Sequence, residues 1–247
     1  MRKGLRNTLI MAMLALPIGN YAHKKYREFL LPERINVEVL EDGTVINTYR
    51  SKAPEAFRRI EDMIQDYNTQ SGTEKTIFGQ NVDIHVTPIE DRARYISRNW
   101  DAFERNSKRL KKESLWEASD NLVYNLLKGI KDSEKEAFYS DEKKKIARIH
   151  ELDHVKRNKE NRGYTAEQLE VSAYLDSLIR SPLALEDVLY TYKYGKNPHK
   201  GASESILREF LKYPDTPEIY ALCNHPRLEM EIPKRAAEIR DRLFGDK

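Results

Sequence analysis

The amino-acid sequence predicts an α+β fold, with a small N-terminal antiparallel sheet or hairpin layer followed by a mostly helical remainder. Three observations predict it. Alternating apolar runs flank Asp42-Gly43, a further alternating run ends before Pro88, and from about residue 89 the apolar residues recur at helical spacing. The chain divides accordingly into an apolar N-terminal segment over 1–22, a small α/β portion over 23–90 and a helical portion over 91–247.

The N-terminal segment starts with Arg2, Lys3 and Arg6, runs through Leu9 to Leu16 and meets Pro17 and Gly19. A basic start, a short apolar run and a helix breaker are the parts of a secretory signal. That pattern favours export, to the periplasm or beyond, over a cytoplasmic location, although the same run fits a short buried helix. Next, Ile35–Leu40 and Thr44–Tyr49 flank Asp42-Gly43, a pair suited to a two-residue turn with positive φ. Such a turn pairs Val39 with Ile46 and Val37 with Thr48, so that one face can be buried. Pro54 then opens a helix carrying Phe57, Ile60, Ile64 and Tyr67, closed by Gly72. Val82, Ile84 and Val86 alternate with Asp83 and His85 as a half-buried strand, which leaves His85 on the polar side.

In the helical portion, Ala93, Ile96, Trp100 and Phe103 make one stripe, and Leu115, Leu122 and Leu126 mark another. The basic run Arg105 to Lys112 reads as a solvated helix face, because acidic residues balance it nearby. Ile206, Phe210 and Leu211, then Ile232, Ala236, Ile239 and Leu243, form two C-terminal helices that support packing.

Composition narrows the chemistry. Of 247 residues, 39% are apolar and 34% charged, which points to a lean core under a charged surface. Lys and Arg total 43 against 40 Asp and Glu, a net charge of +3 that lacks the concentrated basic excess of a nucleic-acid binder. No apolar run reaches the ~18–20 residues that cross a bilayer, so no integral span is expected beyond the N-terminal signal. A single cysteine, Cys223, excludes an internal disulfide framework and thiolate zinc knuckles, and reads as a buried structural thiol.

One constellation carries chemistry. Ser140-Asp141-Glu142 reads as a helix start, and Ile146, Ile149, Leu152 and Val155 give the helix an apolar stripe. Within it stands His150-Glu151-Leu152-Asp153-His154. Residues four apart on a helix point the same way, so both imidazoles can reach one metal ion. Glu151 then stands beside the first ligand without occupying a coordination position. A second helix follows, capped by Thr165 and ending before Pro182. It carries Glu170, sixteen residues past His154, and Ala173, whose small side chain allows close helix–helix approach.

The stretch from Ile146 to Asp176 resembles the zincin metallopeptidases, particularly the gluzincin-like branch, in which an H-E-x-x-H helix precedes a helix with Glu in an E-x-x-A context. The absence of a Gly-x-x-His extension after His154 sets the metzincin branch aside. The resemblance implies a zincin-like domain binding Zn²⁺ through His150, His154 and Glu170, with Glu151 as general base. Glu167 and Asp176 are reserve candidates for the third ligand. It further implies hydrolysis of a peptide or protein substrate by a zinc-activated water, with 23–90 and 91–247 forming one catalytic domain. Tyr174, Tyr190, Tyr192, Tyr194 and His199 are the nearby groups able to donate a hydrogen bond to the developing oxyanion. Arg148, Asp153 and Lys156 put charges around the motif, which predicts a comparatively open site. The alternative is a non-catalytic metal-binding or helical interaction protein with the two histidines solvated.

Overall fold

The computed structural model describes residues 33–50, 81–109, 114–160, 162–211 and 217–245. The expected leader over 1–22, the helix expected from Pro54 to Gly72 and the His85 side chain lie outside the described set. Strands β1 (Glu33–Val39), β2 (Val45–Arg50) and β3 (Asn81–His85) form one sheet in the order β1-β2-β3. Nine helices follow among the described residues: α1 (Thr87–Arg98), α2 (Trp100–Arg109), α3 (Leu115–Leu127), α4 (Asp132–Glu160), α5 (Ala166–Arg180), α6 (Ala184–Tyr194), α7 (His199–Leu211), α8 (Pro217–Cys223) and α9 (Leu228–Phe244). The class is α+β. The sheet is mixed rather than purely antiparallel, because β3 runs parallel to β2.

The hairpin departs from the expected register by one residue. Gly43 donates to Leu40 O at 3.0 Å, Leu40 donates to Thr44 O at 2.9 Å, and Gly43 takes a φ of +82°. The turn therefore spends three residues, Glu41 to Gly43, with glycine at the left-handed position. Val39 then faces Val45, and Glu38 faces Ile46. Paired residues share a face of the sheet. Glu38 thus points to the side on which Ile46 is buried, while Val37 and Val39 stay exposed.

The sheet sits on α4. Ile46, Val82, Ile84 and Val86 cluster with Val155, and Leu40, Ala147 and Leu152 pack against them. Arg148 adds a two-pronged ion pair to Glu38, at 2.7 and 2.8 Å, and Lys159 reaches Asp42 at the turn at 2.8 Å. The opposite side of α4 belongs to the larger helical core, where α5 packs against α4, α7 and α9. Cys223 is buried within that core. No helix among the described residues is long and apolar enough to cross a membrane.

Two helix boundaries differ from the sequence reading. The stripe from Ala93 to Phe103 is shared by two helices, because Asn99 ends α1 by bonding Tyr95 O through both its backbone and its side chain. The motif helix begins at Asp132, not at Ser140, which lies buried in its interior. Ser140 carries the local chemistry of a cap, but the preceding turns are held by tertiary contacts. Tyr139 is buried and donates to Glu186 at 2.7 Å, and Lys135 bonds Ile130 O at 2.6 Å. By contrast, Thr165 caps α5 as expected, in a reciprocal box with Gln168 that follows Gly163 at φ +69°.

A buried ionic network joins α1, α3, α4 and α6. Arg92 lies 2.6 Å from Asp120 and 3.2 Å from Glu186, Lys143 lies 3.7 Å from Glu186, and Lys143 also pairs with Asp187. Replacing Glu186 with alanine leaves Arg92 and Lys143 with one carboxylate each and strands the Tyr139 hydroxyl. The expected loss is about 3 kcal/mol of stability, the lower end for a broken buried pair, read as a fall in the urea midpoint. An unchanged midpoint would show that the network holds nothing together.

Candidate metal centre

The spacing of the motif and the burial of α4 together make the site. His150 and His154 are one helical turn apart, on the side of α4 that faces α5. On α5, Leu169 to Leu175 are all buried, and Ala173 is fully enclosed, as its expected role in close helix approach requires. Glu170 projects from this buried run and is 3% exposed.

The side chains meet at contact distance. His150 Nε2 lies 3.1 Å from Glu170 Oε2, His154 Nε2 lies 3.4 Å from Glu170 Oε1, and the two Nε2 atoms are 3.1 Å apart. His199, at the start of α7, places Nδ1 2.8 Å from Glu170 Oε2. Zinc–ligand bonds of ~2.0–2.1 Å in a tetrahedron leave ligand atoms about 3.3 Å apart. The three expected ligands are of the donor types that zinc takes, and among the described residues the three whose ligand atoms all lie within 4.8 Å of one another are His150, Glu170 and His199.

The site is more enclosed than the surrounding charges suggested. The side chains of His154 and Glu170 are 2% and 4% exposed, and that of His150 is 13% exposed, so these histidines are not solvated. Arg148 is taken up by Glu38, and Asp153 is buried beside Arg157, whose Nε donates to Ser172 at 2.8 Å. Of the three charges only Lys156 faces solvent. The reserve ligands are engaged elsewhere: Asp176 pairs with Arg240 at 2.9 Å, and Glu167 accepts from Ser205 at 3.2 Å.

Glu151 is half-buried next to His150, and among the described residues no hydrogen bond or ion pair engages it. Its charge nevertheless acts on both His154 and His199. Of the groups considered as oxyanion partners, Tyr174 packs edge-on against His150, with ring centroids 4.7 Å apart, and donates to Thr191 at 3.2 Å. Burial, reinforced by the Glu170 charge, pushes the Tyr174 hydroxyl above its ordinary range. Tyr190 and Tyr194 are exposed on α6. His199 is the residue that the motif could not reveal as part of the cluster. It lies 29 positions past Glu170, and the sequence marked it as a possible oxyanion donor rather than as a member of the cluster.

Electrostatically, the cluster is organised around Glu170. Burial alone would raise its pKa, but the His199 charge and hydrogen bonds from His150, His154 and His199 hold it well below 4.5. Burial opposes protonation of His154 and His199, yet the Glu170 carboxylate outweighs it and raises both above 6.5. In metal-free protein, the carboxylate stabilises the fold above its ordinary pKa and loses this as pH falls. The histidines stabilise it below 6.5 and lose this as pH rises through their raised values. Chelator-treated protein is therefore expected to resist urea better at about pH 5.5 than at about pH 8.5. Glu170→Gln should flatten that difference; an equal difference in the variant would place its origin elsewhere.

Comparison with protein-family models, curated proteins and solved structures finds no match to this chain, so the residues and their geometry carry the functional reading.

Proposed function

We propose that the chain is a zinc-dependent metallopeptidase of the zincin type, exported from the cytoplasm, that hydrolyses peptide bonds. The observation that carries this reading is the convergence of His150, His154 and Glu170 beside Glu151, a carboxylate that no hydrogen bond or ion pair engages among the described residues. With His199 counted, three imidazoles and one carboxylate converge, a donor set that suits a divalent cation. The basic and apolar residues from Arg2 to Leu16 support export.

When bound, zinc would supply Lewis acidity to a carbonyl and to water. His150, His154 and Glu170 would hold it. The Tyr174 ring fixes His150 in place, and the packing of α5 on α4 keeps Glu170 in reach of both imidazoles. Glu151 accepts the proton of the attacking water as the new carbon–oxygen bond forms. It then delivers that proton to the departing nitrogen as the carbon–nitrogen bond breaks.

Glu151→Gln is expected to retain about one equivalent of zinc by metal analysis and to lose about a hundredfold or more of its turnover on a peptide library. His154→Ala should lose the metal as well. Absence of zinc from wild-type protein refolded with excess Zn²⁺ would overturn the proposal. A second reading, a metal-binding protein without turnover, is favoured by one observation, the presence of His199 in the cluster. Four protein groups are the number that closes a structural zinc site. Stoichiometric zinc with no hydrolysis of any peptide would support it.

A further inference from the structure

We infer that His199 is a fourth protein ligand, bound through Nδ1, which makes the centre a site of three histidines and one carboxylate; this rests on the metal reading above. His199 Nδ1 lies 2.8 Å from Glu170 Oε2. The same oxygen lies 3.1 Å from His150 Nε2, and the ligand atoms of His150, Glu170 and His199 all fall within 4.8 Å of one another. His150, Glu170 and His199 thus surround one point, and His154 meets the same pair from beside it, 3.1 Å from His150 Nε2 and 3.4 Å from the other Glu170 oxygen. A single ion at the His150–Glu170 edge would draw on all four residues.

The chemistry of the donors points the same way. One carboxylate needs only one protonated imidazole to balance its charge. Here three imidazoles turn ring nitrogens toward it, and His150 and His154 bring theirs to 3.1 Å of each other. Neutral imidazoles so arranged set lone pairs against lone pairs unless protons intervene, whereas a cation attracts every one. Imidazole and carboxylate together suit zinc and its neighbours cobalt(II) and nickel(II).

The fourth ligand changes what the site can do. Three protein ligands leave zinc one open position, and a fourth fills it. Substrate must then enter as a fifth ligand or displace one of the four. His199 is the one placed for displacement. Its side chain is 33% exposed, against 13% for His150, 2% for His154 and 4% for Glu170, and it comes from α7 rather than from the packed pair α4 and α5.

The test is NMR of the full chain loaded with magnetically active cadmium and isotope-labelled histidine, in which each metal-bound imidazole shows a coupling to the metal. Three coupled histidines are expected, one of them through Nδ1, and His199→Gln should retain two. Two coupled histidines in the wild type would overturn the inference and return His199 to a hydrogen bond on Glu170, with the metal reading intact. No coupling at all would overturn the metal reading too. The wild-type spectrum decides the point, so a variant that fails to fold does not blunt the test.

Discussion

Everything at the centre of this protein follows from the burial of one carboxylate. Glu170 sits in the most enclosed stretch of α5, where an uncompensated negative charge costs several kcal/mol. Its compensation comes from three directions, with two imidazoles from α4 and one from the start of α7. The helices meet where they do because this charge has to be met. The surrounding polar groups obey the same constraint one layer out: Tyr174 packs edge-on against His150 and is satisfied by Thr191, and Arg157 is satisfied by Ser172 and Glu160.

Helix α4 does two jobs on two faces. One face carries Tyr139, Lys143, Ile146, His154 and Arg157 into the helical core. The other carries Ala147, Arg148, Leu152, Val155 and Lys159 against the sheet. His150 lies on the first face, one turn before His154, while Glu151 falls along the seam between the two, where a base can be held by packing and still be reached. A helix buried on so many sides cannot show a clean apolar stripe. Its charges are instead absorbed pairwise, Arg148 by Glu38 and Lys143 by Asp187.

The motif and its partner helix were legible in the sequence because their signals are local. Four-residue spacing puts His150 and His154 on one face, and Thr165 with Gln168 spells out a capping box. Glu170 was legible through its place on the next helix. What escaped was non-local. The start of α4 was misread because Ser140 has the side chain of a cap but the surroundings of a core residue. The hairpin register was missed because Asp42-Gly43 fits both a two-residue turn and the end of a three-residue one, and only the backbone distinguishes them. His199 could be named as a nearby donor, but its contact with Glu170 depends on how α7 packs on α5.

That extra turn residue has a further effect. By rotating Glu38 inward, it replaces an apolar contact between β1 and α4 with an ion pair whose side chains remain 36% and 40% exposed. The second strap, Lys159 to Asp42, is more exposed still. Exposed pairs contribute little and weaken with salt, and the apolar cluster beneath them is small beside the helical core. Rising ionic strength therefore loosens the hold of the sheet on α4. The cluster around Glu170, buried between α4 and α5, is screened by salt much less than these straps are.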